Sequence, residues 1–371
     1  MIGLLTFHWA DDYGALLQAF ALKKYLKGLG EQVEVIPYAP VKLTGRYQWC
    51  PLYARIQDGT IRYKRSRYGW KNNLSLGRKF FKRRKAMKTF RQQYLTAERP
   101  ERHAQELILE KYSSVIVGSD QIWNPEITVG LDDAYIGEIR GRGKCRLVAY
   151  AASFGGDSLP DVDAARFSKA VSKNFAAVSV RERCAVPFAA KMLKKEVADA
   201  LDPVLLLNRE EWETIARRPS EDNYILIYRT EYNPNLVKYA RRLADQYQKR
   251  LLQINTPANG ETSLVEFCGD TGPAEFVGYI QNAFCVVTNS FHGTAFSILF
   301  EKPFLTFRHS SKNARMSDLL EKLGLTDRQR DGTEMLRTED MWAEIDWKAA
   351  HSRLEAERMR SGDFLCNGIK R

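Results

Sequence analysis

The 371-residue sequence predicts an α/β protein of two domains, each built on a Rossmann-like parallel sheet. Three observations predict it. Apolar runs of strand length alternate with longer runs of helical spacing along most of the chain. Small, polar or charged residues gather just after the apolar runs, where open α/β sheets bind ligands. The rhythm pauses at Leu201-Asp202-Pro203-Val204 and then resumes, as at a hinge between domains. The expected boundaries are 1–203, including a basic insertion over 41–95, then 204–330, then a helical tail over 331–371.

The elements follow in order. Ile2 to Phe7 reads as a buried strand, and Gly14 to Leu29 as a helix with Leu17, Phe20, Ala21, Tyr25 and Leu26 on one face. Gly30 closes that helix, and Val33 to Ile36 is the next strand. Residues 41 to 77 show little periodicity and read as a long insertion. Arg78 to Leu95 predicts a strongly basic helix, and Glu101 to Glu110 another helix. Strands are then expected at 114–117, 147–151 and 177–180. The second domain repeats the pattern. Its strands are expected at 224–228, 251–254, 284–287 and 304–307, with helices at 234–247, 273–281, 291–300 and 316–323. The tail from Glu339 to Met359 is amphipathic and is expected to pack back across the domains. Two such sheets facing each other across a cleft make a GT-B-like architecture.

Composition bounds the function. Hydrophobic content of 44% with 27% charged residues is that of a soluble globular protein. No apolar run approaches the roughly 18 residues of a spanning helix, and the first residues, with Asp11-Asp12 soon after them, do not read as a signal peptide. Six scattered cysteines without a CxxC pair, and five histidines without ligand spacing, point to a reducing compartment and no metal site. A cytoplasmic protein is expected. The net charge of +12 is concentrated: Arg55 to Arg91 holds 14 Lys or Arg against the single acid Asp58, which leaves the rest of the chain near −1. Such a segment suits nucleic acid, anionic lipid or an acidic substrate, or is simply a solvated helix face.

The site candidates lie at strand ends. Thr288-Asn289-Ser290-Phe291-His292-Gly293 joins a buried strand to a helix, and a helix amino terminus is an anion site. His292, in its first turn, can hold or protonate an anion; it can equally be a structural histidine beside a Ser290 cap. Asp12 and Tyr13 stand at the mouth of the first β-α-β unit, where Asp12 is either a site carboxylate or a cap. Asp120, Trp123, Asn124, Ser153 and Arg181 follow the next strands. Asp120 reads equally as an Asx turn, Arg181 alternatively as an ion-pair partner of a nearby carboxylate, and Trp123 equally as core.

The motifs Asp12-Tyr13-Gly14-Ala15-Leu16-Leu17-Gln18-Ala19, Gly118-Ser119-Asp120-Gln121-Ile122-Trp123-Asn124, Ser179-Val180-Arg181-Glu182, Asp202-Pro203-Val204 and Ser290-Phe291-His292-Gly293 occur in this order. In this arrangement the chain resembles the polysaccharide pyruvyl transferase family over about residues 1 to 325. The resemblance implies transfer of a pyruvyl group from phosphoenolpyruvate to two hydroxyls of a bacterial surface-polysaccharide precursor, often carried on a lipid diphosphate. It implies no metal and no redox cofactor. Many members have an arginine two residues before the histidine, where this chain has Ser290, and an asparagine where it has Asp12.

The roles implied are His292 as general acid and Asp120 or Asp12 at the acceptor hydroxyls. Arg181, Ser290, Gly293, Arg308, Lys312, Asn313 and Arg315 would bind the donor, and Tyr13, Trp123, Asn124 and Ser153 the acceptor. Residues 55–91 would rest on anionic membrane at the inner face of the cell. The competing readings are a GT-B glycosyltransferase with a nucleotide-sugar donor and, less well matched to charge confined to one segment, a nucleic-acid-binding protein. No nucleic-acid partner is expected.

Overall fold

The structure is a computed structural model that describes residues 1–47, 52–57, 60–65, 68–255, 265–310, 313–332 and 336–370. The chain forms two compact units, one of residues 1–75, 87–206 and 357–371, the other of residues 76–86 and 207–356.

The first unit is organised by a six-stranded sheet. Its strands are β1 (Ile2–Leu5), β2 (Val33–Val35), β5 (Ser114–Gly118), β6 (Arg146–Ala152), β7 (Phe175–Val180) and β8 (Ala198–Asp199), with the hairpin β3 (Leu52–Gln57) and β4 (Thr60–Arg65) between them in sequence. The sheet order is β2-β1-β5-β6-β7-β8 and every pairing is parallel. Ile2, Leu4, Val115, Val117, Leu147 and Ala149 are sealed from solvent, as expected of strands covered on both faces. The order reverses beside β1: the chain leaves β1 for β2 on one side and returns as β5 on the other. Loops diverge there, so a crevice opens beyond the carboxyl ends of β1 and β5.

The second unit repeats the plan with β9 (Tyr224–Tyr228), β10 (Arg250–Ile254), β11 (Glu266–Cys268), β12 (Cys285–Thr288), β13 (Phe304–Phe307) and β14 (Gln329–Arg330). The order is β11-β10-β9-β12-β13-β14, again all parallel. The reversal falls between β9 and β12.

Several local expectations need correction. Residues 52–65, read as part of an aperiodic insertion, contain the antiparallel β3–β4 hairpin. The basic helix starts earlier than expected, at Tyr68, runs to Phe90 and ends in a wider turn over Arg91–Leu95. The insertion is also divided: residues 76–86 group with the second unit, where Lys79 Nζ donates to Phe267 O at 2.7 Å. The helix expected over 101–110 is only a turn at Ala104–Glu106, because its flanks are drawn into single bridges with Tyr38 and Gly141. The tail helix runs Trp347–Lys370, and its last turns join the first unit, where Leu201 N donates to Ser361 Oγ and Arg146 Nε to the Gly368 carbonyl. Among the described residues no helix is long and apolar enough to cross a membrane.

Candidate functional site

At the reversal in the first unit, the loop after β1 carries Thr6 to Asp12 and the loop after β5 carries Ser119 to Asn124. Gln18 Nε2 donates to Thr6 Oγ1 at 2.8 Å, and Thr6 Oγ1 donates to Ser119 O at 3.3 Å, which ties the two loops together. Asp12 caps the helix Tyr13–Gly28, accepting from Ala15 N at 3.1 Å. Asp120 accepts from Gln121 N at 2.8 Å and has a left-handed backbone, φ 68°. Ala151, at the end of neighbouring β6, is left-handed too, at φ 46°. Non-glycine residues held in this region store strain of order 1–3 kcal/mol each and cluster at sites of function. Both carboxylates are partly exposed, and both act on one phenol: burial first, then Asp12, with Asp120 and Asp11 adding, pushes the Tyr47 hydroxyl's pKa up. Asp12 and Asp120 thus both lie within electrostatic reach of Tyr47.

Arg181 is placed differently from expectation. Its side chain is 2% exposed and donates from Nη1 to Asp202 Oδ2 at 2.6 Å, with Asp120 Oδ1 at 3.7 Å and Glu182 Oε1 at 4.0 Å. Burial works against its charge, but Asp202, Glu182 and Asp120 more than offset that and raise its pKa. It is a counter-ion for carboxylates rather than a cation held for an anionic ligand. Ser153 is sealed and its hydroxyl donates to Glu182. Trp123 is sealed among Phe154, Phe167 and Phe175, with Nε1 donating to Tyr135 O at 2.9 Å. It presents no face to a sugar. Asn124, buried, caps Pro125–Thr128 and braces Gln121, and Tyr13 is buried as well. The four residues expected to touch the acceptor therefore shape the crevice from behind.

His8 was missed, because a histidine in an apolar stretch carries no spacing signal. It is buried, with Nδ1 3.1 Å from Thr6 O. Burial, with Arg91 adding, lowers its pKa to about 4 despite that carbonyl. At neutral pH it is an uncharged imidazole beside the crevice. Arg91 holds the same loop from outside: it donates to the carbonyls of His8 and Trp9 at 2.8 and 3.0 Å and pairs with Asp11 at 2.9 Å.

At the reversal in the second unit, helix Phe291–Leu299 begins on β12. Ser290 is its buried cap, facing Gly293 N at 3.5 Å. Gly293 must be glycine, since a Cβ would lie 2.4 Å from Thr288 Oγ1. Ser290 thus acts as a helix cap toward the Gly293 N–H. His292 is partly exposed in the first turn, edge-on to Phe291. The loop after β13 adds Arg308, paired at the surface with Asp331 at 3.0 Å, and Asn313, which closes its own loop by bonding both backbone groups of His309. Arg315 is partly exposed on the following helix. Lys312 lies outside the described residues.

Two further residues escaped the sequence reading. Thr288 pairs with Tyr228 in register, so Arg229, the next residue after β9, stands beside Asn289 and the start of the His292 helix. Arg229 is 4% exposed, donates to Gln253 Oε1 at 3.2 Å and lies 5.2 Å from the centre of the Tyr232 ring. Glu231 accepts from Ser310 N and Oγ and lies 3.4 Å from His309 Nε2, while Asn289 bonds Thr230 N and Glu231 O. The three loops are thereby cross-linked around one crevice. The signal that would have found Arg229 is its place just past a central strand. Among the described residues, no cluster of His, Cys, Asp or Glu is arranged to hold a metal ion.

The family described as polysaccharide pyruvyl transferase matches residues 12–311. No curated protein matches the sequence. Among solved structures, the chain is similar to UDP-GlcNAc 2-epimerase from Neisseria meningitidis bound to UDP-GlcNAc, at 9% identity and TM-score 0.50 over 99% of each chain. It is also similar to a putative UDP-N-acetylglucosamine 2-epimerase from Listeria monocytogenes, at 9% identity and TM-score 0.47 over 99% of this chain and 90% of that one. Staphylococcus aureus MnaA with UDP follows at 12% identity and TM-score 0.44, over 97% and 90%. The Neisseria likeness shows a shared GT-B-like fold.

Two outcomes are expected. Arg181→Met leaves buried carboxylates uncompensated and should cost about 3–5 kcal/mol in urea unfolding; unchanged stability with only weakened ligand binding would contradict its role as counter-ion. For His8, the folded pKa near 4 lies below the ordinary 6.5 of the unfolded chain, so the unfolded state binds more protons between them. Its stabilising effect should be full above pH 6.5 and decline by up to about 3 kcal/mol as pH falls toward 4. His8→Gln should flatten that part of the stability–pH curve.

Proposed function

Because this chain belongs to the polysaccharide pyruvyl transferase family, we propose that it moves a pyruvyl group from phosphoenolpyruvate onto two hydroxyls of a sugar in a bacterial surface-polysaccharide precursor. The observation that carries the site assignment is a buried arginine and a histidine at one strand reversal: Arg229 after β9, and His292 at the helix start after β12. Phosphoenolpyruvate is a carboxylate and a phosphate, and it needs fixed positive charge. Arg229 supplies a planar donor fork suited to either group, and the helix amino terminus adds its dipole. Arg229 thereby takes the part that relatives give to the arginine at the position of Ser290.

His292 delivers a proton to the methylene carbon of the enol, which becomes a methyl group and leaves positive charge on the ketal carbon. One sugar hydroxyl bonds to that carbon, the carbon–oxygen bond to phosphate breaks, and the second hydroxyl closes the ring. Of the two hydroxyl protons released, one restores His292 and the other leaves with phosphate. Asp12 and Asp120 are the carboxylates available to orient and deprotonate the acceptor. The neutral imidazole of His8 can accept a hydrogen bond at Nε2 while Nδ1 is held by Thr6 O.

An acceptor on a lipid diphosphate gives the basic segment 55–91 a use. The β3–β4 hairpin pairs Arg55 with Arg62 and Tyr53 with Lys64 on one face, a cationic and aromatic surface suited to anionic headgroups.

Phosphate release from phosphoenolpyruvate with lipid-linked oligosaccharide acceptors tests the reaction. His292→Ala should lower kcat by about 10²–10⁴-fold, and Arg229→Met should raise KM for phosphoenolpyruvate. Full activity of His292→Ala would remove the acid assignment, and turnover of a nucleotide sugar without phosphoenolpyruvate would make the protein a glycosyltransferase. In vesicle sedimentation, anionic vesicles should retain the protein and neutral ones should not; equal binding to both rejects the membrane role of residues 55–91.

A further inference from the structure

A cavity of about 480 Å³ lies in the first unit between the β3–β4 hairpin and the loop that carries Gly130 to Asp133. No step of the proposed reaction uses it. The hairpin is two-faced. Register pairs Ala54 with Tyr63 and Ile56 with Ile61 on the face opposite Arg55, Arg62 and Lys64. Ile56, Ile61 and Tyr63 line the cavity, and Tyr38 lines it from the body of the unit. A hairpin alone is at best marginally stable in water, so it needs a seat. Gly130 supplies one: it is left-handed at φ +75°, and a Cβ there would lie 2.8 Å from Ile56 Cδ1.

The lining charges balance. Lys42, Arg102 and Arg166 stand against Asp132, Asp133 and Asp163. Lys42 pairs with buried Asp132 at 3.1 Å, and Arg166 with Asp133 at 2.5 Å. Tyr38 OH donates to Asp132 at 3.0 Å. A site for phosphate or a nucleotide needs surplus positive charge, and this one has none. It offers instead acceptors, donors and tyrosine rings side by side, the mixture that polyhydroxyl ligands require, in a volume typical of small-molecule sites. Asp163 is partly exposed at the cavity, and partial burial raises the pKa of its carboxyl against the pull of Arg166.

Packing links the cavity to the crevice. Tyr38 meets Tyr135 edge-on at 5.7 Å, Trp9 Nε1 donates to Tyr135 OH at 3.3 Å, and Trp9 meets Tyr47 at 6.0 Å. Tyr47 is the phenol under the influence of Asp12 and Asp120. A chain of buried ring contacts therefore runs from the cavity to Tyr47.

We propose that this cavity is a subsite for neutral sugar residues of the acceptor, remote from the two hydroxyls that react, so that the protein reads a length of glycan rather than a single sugar. The proposal rests on the reading of the acceptor as a saccharide chain. Calorimetric titration of the full chain with cellohexaose, chitohexaose and their disaccharides tests it without any chemistry. At least one hexasaccharide should bind, at least 10-fold more tightly than its disaccharide. Tyr63→Ala and Asp163→Asn should each weaken that binding by 10-fold or more, while Lys64→Ala, on the opposite hairpin face, leaves it unchanged. Both test residues are at the surface or partly exposed, and unchanged melting temperatures will confirm folding. Failure of both hexasaccharides to bind, or binding indifferent to Tyr63→Ala and Asp163→Asn, would each overturn the subsite. Hexasaccharide binding that these variants abolish, in a protein that releases no phosphate from phosphoenolpyruvate, would uphold the subsite and reject the transferase reading.

Discussion

A parallel strand leaves its last carbonyls and the loop that follows at one edge of the sheet, and only a reversal of strand order keeps neighbouring loops from covering that edge. Here the reversal occurs twice, beside β1 and between β9 and β12. The rest of the arrangement depends on it. Asp12 and Asp120 approach one phenol because their loops follow β1 and β5. Arg229 approaches the His292 helix because Tyr228 and Thr288 are register partners. Polar residues elsewhere along the same edge are occupied in holding these loops in place, as Gln18, Thr6, Asn289 and Glu231 are.

The two buried arginines show how burial sorts charge. An isolated ion in a dry interior costs several kcal/mol unless it is paired. Arg181 meets that cost with Asp202, Asp120 and Glu182, and the cluster ties the ends of β5 and β7 to the turn after β8. Arg229 is as deeply buried, and its contacts include an amide oxygen and an aromatic ring. Those contacts orient the guanidinium plane. Sequence position alone ranks Arg181 above Arg229, since Arg181 sits in a recognisable motif. The place of Arg229 beside the His292 helix is recorded only in the strand register.

Much of the fold was legible because parallel strands buried on both faces leave uninterrupted apolar runs, as in Ile225-Leu226-Ile227 and Val286-Val287. The hairpin was not, because its residues are largely exposed and its pairing joins arginine to arginine, which leaves no apolar alternation to read. At the site, Ser290 and Asp12 could be assigned to helix starts from residue type alone, yet whether a cap also faces a ligand depends on which N–H its oxygen takes. Trp123 was ambiguous because indole suits both a core and a sugar. The ring contacts with Phe154, Phe167 and Phe175 bring together residues far apart in sequence, and no local pattern records them.

The basic segment shows the same limit at larger scale. Counted along the chain it is a single run of charge, but in space it separates into parts with different neighbours. Residues 76–86 belong with the second unit, where Lys79 and Lys82 engage Phe267 and Asp270. Arg91 is turned inward and braces the loop of His8 and Asp11. The hairpin's Arg55, Arg62 and Lys64 lie on the face opposite the cavity. Part of the positive charge is therefore structural, and part of it faces away from any saccharide in the cavity. A cationic surface and a charge-balanced cavity thus share one two-stranded element, because alternate residues of a strand point to opposite sides.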